Sequence, residues 1–188
     1  MTLYVNCCVR KNSRTDALAK FLLGKIDSSF VEINLEKENL RPLSEATIQK
    51  RTELASKGDF SDEMFRYAKL FSQAEKIVVS APFWDLSFPA ALKVFIENIY
   101  VIGLVTKFDE NGLPSGLCRA KELYYVSTAG GKFCAEFGFN YIKTLCQKYL
   151  GIQKVELISA EMLDIAGADV EKIMEDAKKK IEKLIKKI

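Results

Sequence analysis

Short apolar runs alternate with longer helical patterns along the chain. Five runs are rich in the β-branched, aromatic and aliphatic residues typical of buried strands. They are Leu3–Val5, Phe30–Leu35, Lys76–Ala81, Glu122–Thr128 and Lys154–Ala160. This regular alternation is the first indication of an α/β fold.

The segments between these runs carry apolar residues at helical spacing. The predicted helices are Asp16–Ile26, Ser44–Ser56, Phe60–Ala74, Pro89–Ile102, Phe137–Leu150 and Val170–Ile185. Ser61 is a candidate N-cap for the third helix, and Gly151 ends the fifth. Gly103 to Cys118 contains Asn111-Gly112 and Pro114, so a long turn-rich excursion is predicted there.

Five strands separated by helices predict a parallel sheet that is covered on both faces. Because crossover connections are right-handed, few topologies remain, and the flavodoxin-like order 2-1-3-4-5 is the commonest five-stranded solution. We therefore predict a flavodoxin-like three-layer α/β/α fold, as a single domain over residues 1–188. Ligands of such folds bind beyond the carboxyl ends of the strands, here after Val5, Ala81 and Thr128.

Composition limits the partners and the location of the protein. The formal net charge is +3, and Glu171 to Ile188 alone holds seven lysines against four acids. The remainder is balanced, so no nucleic acid partner is expected. We expect neither a signal peptide nor a membrane span. The five cysteines form no C-x-x-C pair, which favours reduced thiols in a cytoplasmic protein.

The chain contains no histidine. This absence removes Ser-His and Cys-His nucleophile pairs, the usual zinc sites and histidine-ligated haem, so no metal site is expected. An enzyme of this composition would draw its chemistry from a cofactor, a carboxylate or a thiol.

The loop after the first strand reads NCCVRKNSRTDAL and opens a helix near Ser13, Arg14 or Thr15. Ser13 and Asp16 have the spacing of a capping box, and a helix start offers unpaired N–H groups and the positive end of the helix dipole. The hydroxyls of Ser13 and Thr15 and the charge of Arg14 would add donors for a phosphate. Ordinary helix capping is the simpler interpretation of this loop taken alone.

The segment after the third strand, SAPFWDLSFPAALKVFIENIY, has Phe83, Trp84 and Asp85 in a row. The two rings would lie along a planar ligand whose polar edge meets Asp85 or nearby backbone groups, although a core position is the usual fate of a tryptophan such as Trp84. The helix that follows, Pro89–Ile102, is apolar on nearly every side. Such a helix is expected to be buried on both faces, which predicts a subunit interface and a homodimer.

The loop after the fourth strand, STAGGKF, has Gly130 and Gly131 where backbone can approach a ligand closely, or where the chain makes an ordinary turn. The three loops fall at the three strand ends where this fold binds its ligand. Together they predict a phosphate at Ser13–Thr15 and a flat ring between Phe83–Leu86 and Thr128–Gly131. FMN combines a phosphate with such a ring.

At these positions the sequence resembles the family of FMN-dependent NADH:quinone reductases and azoreductases, within the larger group of flavodoxin-like reductases. The most specific likeness lies in APFWDLSFPAALKVFIENI, which is similar to the family pattern of a proline, two bulky residues and a polar residue before a helix with Leu-Lys-x-aromatic-hydrophobic-acid. TKFDENGLPSGL resembles the family's excursion over the flavin, and STAGG resembles its second flavin loop.

The resemblance implies a set of cofactor contacts. The phosphate and ribityl chain would contact Ser13, Arg14 and Thr15, with Cys8 near them, and the ring would contact Pro82, Phe83, Trp84, Asp85, Leu86, Thr128, Ala129, Gly130 and Gly131. Phe108 would lie in a lid that reaches toward the partner's site. The family is dimeric with its sites at the interface, which agrees with the apolar helix.

The implied activity is oxidation of NADH or NADPH, with hydride transfer through flavin N5 to a quinone, an azo compound or a nitroaromatic in a ping-pong scheme. Flat acceptors suit an aromatic-lined slot, and no catalytic side chain is required. A chain without histidine can therefore be an oxidoreductase.

Two other functions fit parts of the sequence. Cys8 and Arg14 have the C-x5-R spacing of low-molecular-weight tyrosine phosphatases, in which a thiolate attacks phosphate. That loop has no glycine, however, and no Asp-Pro near the C-terminus supplies the acid. The second is a flavodoxin that carries electrons to a protein partner, but flavodoxins are usually strongly acidic and monomeric, unlike the protein predicted here.

Overall fold

The computed structural model describes residues 1–27 and 29–186. Its strands are β1 (Thr2–Asn6), β2 (Phe30–Asn34), β3 (Lys76–Ser80), β4 (Thr106–Phe108), β5 (Pro114–Gly116), β6 (Glu122–Thr128) and β7 (Lys154–Ala160). Its helices are α1 (Arg14–Ile26), α2 (Glu45–Ser56), α3 (Arg66–Gln73), α4 (Ala90–Ile99), α5 (Phe139–Leu145) and α6 (Val170–Ile185). The single-domain prediction and the lysine-rich segment include residues 187–188, which lie outside the described residues, as does Ser28.

One parallel sheet contains five of the strands in the order β2-β1-β3-β6-β7. Counted along the chain, this is the predicted order 2-1-3-4-5, so the flavodoxin-like fold class is confirmed. Asn6 at the end of β1 lies opposite Asn34 of β2 and Ser80 of β3. The carboxyl ends of the strands therefore meet at a single edge of the sheet.

Each face of the sheet packs against its own helices, because successive side chains of a strand point to opposite faces. Leu3 and Val5 of β1 join a core with residues of α3, α4 and α5. Tyr4 of β1 joins a second core with α1 and α6. The result is the predicted three-layer α/β/α arrangement. No helix within the described part of the chain is long and apolar enough to cross a membrane.

Two predicted helix starts were wrong. Asp62, not Ser61, caps the turn before α3: its carboxylate accepts a hydrogen bond from the Met64 N–H at 2.9 Å. The Ser61 N–H and hydroxyl instead donate to Asp59. A 3₁₀ turn at Glu63–Phe65 then delays α3 until Arg66.

The α5 helix starts at Phe139 rather than at Phe137. The carbonyl of Phe137 accepts a hydrogen bond from the Ser87 hydroxyl at 2.8 Å, which ties this residue to the segment before α4. A π-helical turn at Cys146–Leu150 then carries the chain to Gly151, whose φ of +82° ends it as predicted. A left-handed residue of this kind is a common helix stop, and glycine adopts it without steric cost.

The α4 helix also differs from its prediction, since it begins at Ala90 and ends at Ile99, three residues before Ile102. Arg51 of α2 caps its last turn, where Arg51 Nη1 donates to the carbonyl of Glu97 at 2.9 Å. After Tyr100 the chain turns inward, and Val101 is buried in the core. Capture of the last carbonyls by a side chain satisfies the acceptors that a helix end leaves unpaired.

The turn-rich excursion contains an unpredicted antiparallel hairpin, in which β4 pairs with β5. The Asp109 carboxylate accepts hydrogen bonds from the N–H groups of Asn111 and Leu113 at 2.9 and 2.8 Å, and so holds the turn. At the base of the hairpin, Gly116 lies against the backbone of Leu150 and Gly151, where a methyl group would overlap with the chain. The hairpin is therefore fixed to the end of the π-helical turn that follows α5.

Candidate active site

A cleft of about 330 Å³ lies at the carboxyl edge of the sheet. It is lined by Val9, Arg10, Asn12, Ser13, Arg14, Thr15, Pro82, Phe83, Trp84, Thr128, Ala129, Gly130, Leu163 and Asp164. Nine of these fourteen residues belong to the set predicted from the sequence, and they come from all three predicted loops. The fold thus brings distant parts of the chain together around a single cavity.

The start of α1 forms one end of the cleft. Ser13 is its N-cap, and the Ser13 Oγ accepts a hydrogen bond from the Asp16 N–H at 3.3 Å. The N–H groups of Arg14 and Thr15 belong to the first turn, which has no helical carbonyls to bind. Capping and anion binding are therefore compatible here, because the cap uses Asp16 and leaves the two preceding N–H groups to the cleft.

The aromatic wall is a tight turn between β3 and α4. Trp84 and Ser87 exchange two backbone hydrogen bonds, of 3.0 and 2.8 Å, around Asp85 and Leu86. These two central residues have φ of +48° and +68°. Positive φ at both central residues is the geometry of a type I′ turn. Residues other than glycine and asparagine adopt it at a steric cost.

The side chain of Trp84 is 38% exposed, so the core interpretation of this residue is wrong. Phe83 also lines the cleft: its N–H donates to the Thr128 carbonyl at 3.1 Å, and its ring centre lies 5.0 Å from that of Phe133. The wall therefore presents a flat apolar surface to the cleft and is tied to the loop that faces it.

That facing loop, Thr128–Gly131, is held by the chain that follows β7. The N–H groups of Met162, Leu163 and Asp164 donate to the carbonyls of Gly131, Ala129 and Gly130 at 2.9, 3.2 and 2.9 Å. A methyl group at position 130 would overlap with the Asp164 carboxylate, so the glycine found there leaves room for it. The carboxylate in turn accepts a hydrogen bond from Arg14 Nη1 at 2.8 Å.

Four predicted contacts, Cys8, Asp85, Leu86 and Gly131, and the predicted lid residue Phe108 are all described but do not line the cleft. Asp85 and Leu86 form the exposed tip of the turn, and Gly131 follows Gly130 at the rim. Phe108 lies on the β4–β5 hairpin and is 42% exposed.

Cys8 is buried beneath the loop. Its N–H donates to Asn6 Oδ1 at 2.9 Å, and its Sγ lies 3.5 Å from Ser80 Oγ. Burial raises the pKa of the Cys8 thiol, since the thiolate would lose its hydration. A buried, protonated thiol is a poor nucleophile, and Arg14 is paired with Asp164, so this geometry disfavours the phosphatase alternative.

A partly buried polar network lies under the first loop and was not predicted. Asn6 Nδ2 donates to Asp16 Oδ1 and Glu32 Oε1 at 3.1 and 2.9 Å, while the Tyr4 hydroxyl donates to Asp16 Oδ1 at 2.7 Å. Burial raises the pKa of Tyr4 well above its usual range, so the phenol stays a donor. The network fixes the first loop against the sheet.

The cleft residues that sequence reasoning missed are Val9, Arg10, Asn12, Leu163 and Asp164. The first three belong to the loop before α1, whose hydroxyls predict a phosphate site. The other two follow β7, so the rule that ligands bind at strand ends would have found them if it had been applied to this strand.

Comparison with known proteins agrees with this geometry. A family model described as a flavodoxin-like fold matches residues 1–185. An FMN-dependent NADH:quinone oxidoreductase of Coprothermobacter proteolyticus is 33% identical, with 98% of this chain and 97% of the relative covered. The FMN-dependent NADH:quinone oxidoreductase 2 of Clostridium acetobutylicum is also 33% identical, over 88% of this chain and 90% of the relative.

Two solved structures share the fold. The crystal structure of an azoreductase from Bacillus anthracis has a TM-score of 0.83 at 23% identity, covering 100% of this chain and 99% of the other. An FMN-dependent NADH-azoreductase from Bacillus anthracis, in complex with FMN, has a TM-score of 0.80 at 19% identity, covering 99% and 97%. At these identities the two structures bear on the fold alone.

Proposed function

We propose that this chain, a member of the flavodoxin-like family of FMN-dependent NADH:quinone oxidoreductases, binds FMN in the cleft. With FMN bound, it oxidises NADH or NADPH. Its acceptors would be flat molecules: quinones, azo compounds or nitroaromatics. The relatives are named FMN-dependent NADH:quinone oxidoreductases, and the aromatic wall of the cleft suits planar acceptors.

One observation carries the proposal: the two ends of a single cleft match the two ends of FMN. At one end, the helix start at Ser13–Thr15 offers backbone N–H groups, the Ser13 hydroxyl and the Arg14 guanidinium for a phosphate. At the other end, Trp84 is exposed and lines the cleft together with Gly130. A planar ring would lie against the indole of Trp84 and the backbone of the Thr128–Gly130 loop.

FMN, when bound, supplies the hydride chemistry. The residues of this chain have the task of holding and shielding it. Ser13, Arg14 and Thr15 would bind the phosphate, and Phe83 and Trp84 would cover the ring and exclude water. The contact between the Thr15 and Thr128 hydroxyls would keep the two sides of the cleft in register. No side chain of the cleft is required as a general acid or base.

We propose that the protein acts as a homodimer through the α4 surface. Beside α4, a half-open groove of about 330 Å³ is lined by Tyr100, Tyr141 and Tyr149, which are unusual on a surface that meets only water. Phe108 is exposed and lies outside the cleft of its own chain, which supports a lid that reaches the cleft of a second copy. Light scattering tests this: a monomer at micromolar concentration contradicts it.

The cytoplasm is the proposed location. Cys7, Cys8, Cys118, Cys134 and Cys146 are free thiols in the structure. Unpaired thiols are typical of proteins kept in a reducing compartment. Alkylation of intact cells followed by mass spectrometry would test it, since paired cysteines in the native protein would contradict a reducing location.

Absorbance spectroscopy of the purified protein tests the activity. We expect a yellow protein that takes up one FMN per chain and oxidises NADH or NADPH when menadione is present. An Arg14→Gln variant should bind FMN more weakly, whereas Arg119→Gln, outside the cleft, should behave as the unmodified protein. A colourless protein that fails to take up added FMN contradicts the proposal. Tight FMN binding with little oxidation of either nucleotide would indicate an electron carrier of the flavodoxin type.

A further inference from the structure

Asp164 brings a carboxylate into the cleft beside the site proposed for a phosphate. We propose that Asp164 competes with the phosphate of FMN for Arg14 and so sets how readily the cleft releases its cofactor. This inference rests on the proposed FMN site and adds to it a residue that controls cofactor retention.

The first step is the position of Arg14. Its Nη1 donates to Asp164 Oδ1 at 2.8 Å and lies 3.5 Å from the carbonyl of Leu163. Both acceptors belong to the loop after β7, across the cleft from α1. The only guanidinium in the first turn of α1 is therefore already engaged by a carboxylate before any anion arrives.

The second step is that Asp164 is built into the site and does not reach it by chance. Its N–H donates to the Gly130 carbonyl at 2.9 Å, which fixes the backbone. Its other carboxylate oxygen, Oδ2, lies so close to Gly130 that a methyl group there would overlap with it. The glycine of the second predicted loop thus makes room for a carboxylate as well as for a ligand.

The third step is charge. Among the side chains that line the cleft, Arg10 and Arg14 are cationic and Asp164 is anionic, which leaves one net positive charge. A phosphomonoester carries between about −1.5 and −2 charges at neutral pH. A phosphate that takes Arg14 leaves Asp164 beside it as an unpaired like charge, which weakens binding.

The fourth step is the strength of the pair. The side chains of Arg14 and Asp164 are 44% and 66% exposed. Ion pairs this exposed are weak and screened by salt, so a phosphate can displace the carboxylate. The pair therefore tunes the affinity of the cleft without closing it, and the cofactor is expected to exchange with free FMN.

A comparison of two flavins tests the inference. Asp164→Asn keeps an oxygen acceptor for Arg14 but removes the charge. We expect its dissociation constant for FMN to fall by about two- to fivefold, the range of an exposed, screened charge pair, with slower FMN release. Riboflavin, which lacks the phosphate, should bind both proteins equally. The control is Asp176→Asn, which removes an exposed ion pair with Lys179 on α6 and changes the net charge by the same amount. It should alter the dissociation constant of neither FMN nor riboflavin.

The readout is quenching of flavin fluorescence, with thermal unfolding to verify that each variant is folded and Asp164→Ser as a second charge-removing variant. An unchanged dissociation constant for FMN in both variants overturns the inference. Weaker FMN binding also overturns it, because Asp164 would then position Arg14 for the phosphate. An equal gain for riboflavin overturns it as well. If the unmodified protein binds riboflavin but shows no preference for FMN, the proposed phosphate site itself fails.

Discussion

Thr15 Oγ1 lies 2.6 Å from Thr128 Oγ1, and this contact joins the start of α1 to the loop after β6. Thr15 is almost completely buried, so its hydroxyl has little access to water. The two residues are 113 positions apart in the chain. The phosphate end and the ring end of the cleft are thus connected by one hydrogen bond between side chains.

Thr15→Val should therefore weaken both folding and FMN binding. We expect a loss of about 1 kcal/mol in the free energy of unfolding, because Thr128 loses a partner in a partly buried place. Urea unfolding and FMN titration would measure the two effects. Thr144→Val, on an exposed position of α5, is the matched control. If the double variant Thr15→Val, Thr128→Val loses the full sum of the single losses, the two hydroxyls are not coupled.

Trp84 is the only tryptophan of the chain, so the intrinsic tryptophan fluorescence reports on the cleft wall alone. Added FMN should quench this emission and saturate at one equivalent per chain, since the indole would lie against the flavin ring. Inorganic phosphate, which can fill only the helix end of the cleft, should leave the emission unchanged. FMN that binds by absorbance without quenching would place the ring away from Trp84.

The turn Asp85–Leu86 stores steric strain, and Leu86→Gly should release it. Both residues have positive φ, and glycine adopts this geometry without the clash that Leu86 accepts. We expect the free energy of unfolding to rise by about 0.5 to 1 kcal/mol. Leu113→Gly, at an equally exposed leucine of ordinary φ, should be neutral or destabilising. A loss in both variants would mean that the Leu86 side chain makes a stabilising contact.

Glu122 lies at the opposite end of β6 from the cleft, and it should make the free energy of unfolding depend on pH. Burial by itself raises its pKa, but hydrogen bonds from Lys154, Tyr124 and Lys76 outweigh that effect and hold the pKa below the ordinary 4.5. A carboxylate whose pKa is lower in the folded than in the unfolded protein stabilises the fold at pH values above its unfolded-state pKa. This contribution is lost as the pH falls through the folded-state pKa.

Glu122→Gln should therefore cost about 1 to 2 kcal/mol at pH 7, and the difference from the unmodified protein should shrink as the pH falls below 4.5. Urea unfolding at several pH values measures it. Glu75→Gln, which removes an exposed pair with the chain's amino group, should cost far less. A difference independent of pH between 7 and 3 would contradict the ionic origin of the effect.

Cys8→Ser separates the two enzymatic interpretations of the first loop. The variant should keep most of its FMN binding and NADH oxidation, because Cys8 lies beneath the cleft and its raised pKa keeps it protonated. Hydrolysis of p-nitrophenyl phosphate should be absent in both proteins. A phosphatase activity that disappears with Cys8 would reverse this conclusion.

The strands β6 and β7 and the helix α6 begin and end where the sequence predicted them. Their apolar patterns are long and their ends are marked by polar residues, so local information is sufficient. The short hairpin is different. Its strands have three residues each, and they are stabilised by the Asp109 turn and by the contact of Gly116 with Leu150 and Gly151, which no local pattern contains.

The candidate site shows the same limit. Hydroxyls at a helix start and aromatic residues after a strand have recognisable local patterns, and they predicted most of the cleft. Asp164 has no such pattern, because its role comes from Arg14, which is 150 positions away in the chain. The same holds for Asn6, whose amide connects Asp16 and Glu32 only after β1 and β2 have paired.

The hairpin of β4 and β5 is fixed at its base and open at its tip. Gly116 locks the base against Gly151, while Asn111 and Gly112 at the tip are exposed. Loop length changes stability only slowly, and exposed tips tolerate added residues. A fluorescent or epitope segment inserted between Asn111 and Gly112 would open the turn that Asp109 holds but leave the five-stranded sheet and the cleft intact. This tip is the place on the molecule where the chain can be lengthened to carry a reporter.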